Sequence, residues 1–129
     1  MPRVHALIID DDTGSSLVLS QLLEVEEVST TIINQTANFE EQLDSIPDCD
    51  LIFLDLEMPD KDGYEVFDLI VSTGRFQQVP IIACSVHSNE IANTRRSGLS
   101  GFIAKPLDPA RFPMQLARLL NGEAVWDAR

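Results

Sequence analysis

Basic residues are scarce in this chain. Nine Lys and Arg stand against 21 Asp and Glu, a formal charge of -12 over 129 residues. A field that negative repels the phosphate backbone of nucleic acids and anionic lipid surfaces, so direct binding to either is not expected. Cysteine is almost absent. Cys49 and Cys84 lie far apart in separate apolar stretches, a pattern that excludes a disulfide framework or a cysteine zinc site and points to a reduced, cytoplasmic protein. Long hydrophobic runs are missing too. The opening MPRVHALIID carries one arginine and a short apolar stretch that acids end at once, too little for a signal-peptide core or a membrane span. Membrane insertion is therefore not expected. Aromatics make up 6%, and the single tryptophan, Trp126, sits oddly in a polar C-terminal stretch.

What is present describes a folded domain. Hydrophobic residues at 44% and charged residues at 23% are ordinary globular values, and the length suits one hydrophobic core. The expected organisation is one domain over 1–121 and a polar tail over 122–129 that frays. Charge is unevenly divided. Residues 1–60 hold 14 acids and one base, Arg3, while 61–129 hold seven acids and eight bases, which predicts two faces of different character.

Short apolar runs recur at Val4–Ile9, Thr30–Ile33, Leu51–Leu54, Val79–Cys84 and Gly101–Ala104, each bounded by Asp, Pro, Gly or Ser. Several lack polar alternation, as strands covered on both faces do. Helical spacing fills the gaps: Leu17, Leu19, Leu22 and Leu23, then Phe39, Leu43 and Ile46, then Val66, Phe67, Ile70 and Val71. Ile91–Arg96 gives a weaker fourth segment. A fifth runs through Phe112, Leu116, Leu119 and Leu120, with Asp108 as its expected N-cap, Pro109 at its first helical position and a stop at Asn121-Gly122. Five alternations with right-handed crossovers predict an α/β doubly wound, five-stranded parallel sheet with helices on both faces. In such sheets ligands bind beyond the carboxyl ends of the strands.

Those strand ends carry the chemistry. The first ends in Asp10, Asp11 and Asp12, and the third in Asp55. Like charges about 4 Å apart repel by ~1 kcal/mol in water and ~4 kcal/mol near a protein surface, so carboxylates converging there call for a cation. Mg²⁺ suits them, since it takes oxygen ligands and shares its sphere with phosphate. Alone, an acidic run merely caps a helix or is solvated, and the added Asp55 is what favours the metal. Ser85 after the fourth strand and Lys105-Pro106 after the fifth fall at the same edge. A single carboxylate beside a divalent cation, a hydroxyl and an ammonium is the set that forms an acyl phosphate, with Asp55 as the nucleophile.

ALIIDDD, FLDLEMPDKDGYEV, Ser85 and Lys105-Pro106, in this order and spacing, resemble the receiver domain of two-component response regulators over Val4–Leu120. The resemblance implies a flavodoxin-like strand order 2-1-3-4-5. It puts Asp10 and Asp11 in the metal-binding role and Asp55 in the phosphoacceptor role. It assigns the backbone carbonyl of Glu57 to the metal shell, and Ser85 and Lys105 to the phosphoryl oxygens. Ser85 and Phe102 take the switch positions, where a phosphoryl group draws in the hydroxyl and the aromatic ring turns, repacking the face around the fourth helix and fifth strand. The partners so implied are a sensor histidine kinase or a histidine phosphotransfer protein, a downstream protein target, and a second copy through the helix-four, strand-five, helix-five face. Arg95 and Arg96 lie on that face. The domain is then a phosphoacceptor, not an enzyme beyond self-phosphotransfer and autodephosphorylation. Two positions depart from the commoner pattern: Ser85 replaces threonine, and Val86 stands where Ala or Gly is usual, which is expected to narrow access to Asp55.

Three other readings fit less well. A phosphatase of the haloacid dehalogenase type wants Asp where Glu57 stands and its nucleophile on the first strand. A flavodoxin-like carrier would seat a phosphate at Thr13-Gly14-Ser15-Ser16, directly after three repelling aspartates. A receiver-like module that is never phosphorylated typically lacks an acid or the lysine, and none is lost here.

Overall fold

Apolar runs alternating with amphipathic segments become alternating strands and helices in the computed structural model, which describes residues 4–59 and 61–127. Arg3, Asp60 and positions 128–129 of the expected tail lie outside the described residues. In chain order the elements are β1 (His5–Ile9), α1 (Thr13–Val25), β2 (Ser29–Ile33), α2 (Phe39–Ser45), β3 (Leu51–Asp55), α3 (Gly63–Ser72), β4 (Ile81–Ser85), a 3₁₀ turn (Ser88–Glu90), α4 (Ile91–Arg96), β5 (Gly101–Ala104), α5 (Phe112–Leu120) and β6 (Val125–Asp127).

All strand pairs are parallel, in the order β2-β1-β3-β4-β5-β6. The unalternating runs are the buried ones: every residue of β3, β4 and β5 is buried, while edge strand β2 is half-exposed. One face packs Ala6, Ile8, Phe53, Ile82 and Ile103 beneath α1 and α5 through Leu19, Leu23, Phe112 and Leu116. The other packs Leu7, Ile9, Ile52, Leu54 and Phe102 against α2 and α3 through Phe39, Leu43, Val66 and Ile70. Burying both faces is the main source of stability, at about 25 cal/mol per Å² of apolar surface removed from water.

Two expectations need correction. The sheet has six strands, because residues 125–127 of the expected frayed tail pair with β5. The sequence signal was short: a three-residue strand shows barely one period of alternation, yet Val125 is buried under α5 and Trp126 packs on the opposite core. Gly101 makes the approach possible, since a Cβ there would lie 2.7 Å from the Val125 carbonyl oxygen. The second correction concerns α5, which begins at Phe112 and not beside Asp108. Asp108 closes the preceding turn instead: its carboxylate accepts from the Ala110 N–H at 2.9 Å and its carbonyl from the Arg111 and Phe112 N–H groups. Lys105-Pro106 is a cis peptide.

Candidate functional site

The carboxyl edge of the sheet gathers the acids from separate elements. Asp10 follows β1, and its carboxylate accepts the Asp12 N–H at 2.9 Å. Asp12 turns away to cap α1, accepting from the Gly14 and Ser15 N–H groups at 2.9 and 3.3 Å, so the third acid is occupied as a helix cap. Asp55 ends β3 and accepts the Glu57 N–H at 3.1 Å. The chain then doubles back so that Gly63 opens α3 against Leu56; a Cβ at Gly63 would sit 2.6 Å from the Leu56 Cα. One carboxylate oxygen from each of Asp10, Asp11 and Asp55 lies within 4.8 Å of the others, with Asp11 exposed and its two partners buried.

Lys105 reaches this cluster from the end of β5. Its Nζ donates to Asp10 Oδ2 at 2.9 Å and stands 3.6 Å from Asp55 Oδ1. One ammonium thus stands against two buried carboxylates of a three-acid cluster. Burial pushes Asp55 up to about 7 despite the Glu57 N–H and Lys105, and the Asp10 charge adds to the rise. Burial also works against an ionised Asp10, but the Asp12 N–H and Lys105 outweigh it and hold its carboxyl below the usual value. Lys105 is raised, because its bond to Asp10 and the charge of Asp55 overcome its own burial. Of the two neighbouring carboxyls, Asp55 is therefore the one that gives up its proton less readily. An all-oxygen set short of positive charge fits a hard divalent cation such as Mg²⁺.

Ser85, at the end of β4, is fully buried and engaged elsewhere. Its hydroxyl donates to the Glu57 carboxylate, 2.7 and 2.9 Å from the two oxygens, and accepts the His87 N–H at 2.9 Å. The His87 ring stands 3.7 Å from the same carboxylate. Sequence reasoning missed this contact between the Glu57 side chain and Ser85; the available signal was an acid two residues after Asp55. Phe102 is fully buried among the residues facing α2 to α4. Val86 is exposed on the rim of a groove shared with Gly14, Val18, Lys105 and Leu107.

The family model of the response regulator receiver domain matches residues 6–117, and the chain belongs to that family, a signalling domain. It is 26% identical to the two-component response regulator ORR5 of rice, covering 91% of this chain and 89% of that protein. It is 32% identical to the protein-glutamate methylesterase/protein-glutamine glutaminase 1 of Myxococcus xanthus, over 98% of this chain but only 36% of that longer protein. Among solved structures, Salmonella typhimurium RcsB superposes with a TM-score of 0.82 at 23% identity, over 98% of this chain and 63% of that one. Vibrio cholerae CheY4 gives 0.80 at 18%, over 91% and 98%. At these identities the structural matches speak to the fold alone. Among the described residues no helix is long and apolar enough to cross a membrane.

Proposed function

We propose that Asp55 accepts a phosphoryl group from the phosphohistidine of a sensor histidine kinase or a histidine phosphotransfer protein. Convergence of Asp10, Asp11 and Asp55 with Lys105 at one sheet edge carries this reading. An Asp55 carboxylate oxygen attacks phosphorus; the new O–P bond forms as the P–N bond breaks, and that bond's electron pair returns to the imidazole. Asp10, Asp11, Asp55 and the Glu57 carbonyl would hold Mg²⁺, which supplies charge neutralisation for the phosphoryl oxygens. Lys105 holds one of those oxygens, as an ammonium already beside Asp55. To hold another, the Ser85 hydroxyl must leave Glu57, because it is now committed there. Its departure opens room toward which Phe102 turns, and the repacked face around α4 and β5 meets a downstream protein target. A homodimer through α4, β5 and α5 would have to accommodate β6, which takes the outer edge of β5.

The test is intact-protein mass after incubation with acetyl phosphate, with and without Mg²⁺, on the parent chain and on Asp55→Asn. A single Mg²⁺-dependent phosphoryl adduct, absent from the variant, is expected. A folded parent that takes no adduct, or a variant that takes the same one, would overturn the reading. Val86→Ala, measured alongside, is expected to load faster.

A further inference from the structure

β6 is anchored residue by residue, and the anchors describe what the β5 edge accepts. Val125 is buried against α5, beside Leu116 and Leu119. Trp126 points to the opposite face, paired in register with Phe102, and its ring lies 5.1 Å beneath the Arg95 guanidinium of α4. Asp127 points back toward α5, where its carboxylate accepts from the buried Gln115 side chain at 2.7 Å and stands 3.4 Å from Arg111. The strand period of two thus meets an apolar pocket, a cation for an aromatic face, and a donor pair for a carboxylate. Gly101 is the opening through which an added backbone comes close. The recognising groups belong to the less acidic half of the chain, which suits an acidic occupant.

We propose that the β5 edge between α4 and α5 is a strand-addition groove for an extended partner segment carrying an apolar residue, an aromatic and an acid in succession, and that Val125–Asp127 fills it as an internal ligand that such a segment displaces. Backbone pairing supplies part of the affinity and the alternate side chains supply the specificity. A tethered occupant lowers the apparent affinity of any competitor by the fraction of time the groove is open. The proposal does not depend on phosphorylation of Asp55.

The probe is a blocked synthetic peptide of residues 122–127, Gly-Glu-Ala-Val-Trp-Asp, titrated into the full-length parent and into a Trp126→Ala, Asp127→Asn double variant. Trp126 is the only tryptophan, so in the variant the peptide's indole alone emits. The peptide is expected to bind the variant about tenfold more tightly than the parent, shifting the amide resonances of Arg95, Phe102 and Gln115. A peptide with its last two residues exchanged should bind neither. In a separate Gly101→Ala chain, the expelled strand should show as red-shifted, more quenchable Trp126 emission with unchanged far-ultraviolet dichroism. Equal affinity for parent and variant, no amide shift in the folded variant at millimolar peptide, equal binding of the exchanged peptide, or unaltered Trp126 emission in Gly101→Ala would each overturn the proposal. Concentration-dependent dimerisation of the double variant that blocks the peptide would give the edge to a second copy and overturn it as well.

Discussion

Asp55 is buried at the end of β3 beside Lys105, whereas the proposed phosphoacceptor role requires it ionised, and those demands conflict. Burial leaves it titrating at about 7 without a cation, far above its ordinary 3.8. A carboxyl raised on folding takes up protons that the unfolded chain has released, so the contribution of Asp55 to stability falls as pH rises from 3.8 to about 7 and levels off above that. Asn keeps the shape and has no charge to bury. In EDTA, urea denaturation should therefore find Asp55→Asn more stable than the parent at pH 8, with a smaller gain at pH 5. A loss at pH 8, or equal gains at both, would contradict this electrostatic account. Ser85 illustrates a different limit at this scale: its place at the sheet edge could be read from the sequence, but its present partner depends on how the Glu57 side chain folds over it.

Neighbouring acids take different duties because one belongs to a helix end and the others to the sheet edge. Asp12 satisfies two N–H groups of α1 that have no helical partner, whereas Asp11 is exposed and makes up the acidic cluster. Asp12→Ala should cost about 1 kcal/mol of folding stability, the usual worth of an N-cap, with Mg²⁺ affinity nearly kept. Asp11→Ala should do the reverse, weakening Mg²⁺ binding while leaving metal-free stability close to that of the parent. Calorimetric titration and chemical denaturation on both variants separate the two roles. Element ends also explain the α5 correction. Asp108 and Pro109 are good starters for a helix, but here they close a turn leading away from the cis Lys105-Pro106 bond, and the regular helix waits for Phe112.

For the molecule as a whole, the acidic edge gathers like charges whose repulsion a bound cation would relieve. Anything that binds only the folded chain stabilises it by RT ln(1 + [L]/Kd), about 2.7 kcal/mol at a hundredfold excess over Kd. Mg²⁺ should accordingly raise the melting temperature, and more at pH 8 than at pH 5, since at the lower pH the ion competes with the proton on Asp55. NaCl at matched ionic strength should give less, because it screens the overall charge without filling the cluster. An equal rise with NaCl would mean that general screening accounts for the effect.

The parallel α/β class, the faces of the helices and the edge where the acids meet follow from signals local in the chain, whereas the strand order 2-1-3-4-5 came with the family resemblance and lacked β6. Unalternating runs such as Leu51–Leu54 mark strands covered on both sides, helical spacing marks the crossovers, and parallel right-handed connections leave few arrangements. Asp10, Asp55, Ser85 and Lys105 each sit at the end of such a run, which is why the sequence places them on one sheet edge; the fold brings Asp10, Asp55 and Lys105 into contact and turns Ser85 to Glu57. Tertiary structure decided what depends on side-chain direction and on contacts distant in sequence: the Glu57 carboxylate closing on Ser85, the single ammonium of Lys105 shared unequally between Asp10 and Asp55, and the addition of β6. Three residues carry too little periodicity to announce a strand. Val125–Asp127 becomes one only because Gly101, Arg95, Gln115 and Arg111, brought together by the folded sheet, give each of its residues somewhere to go.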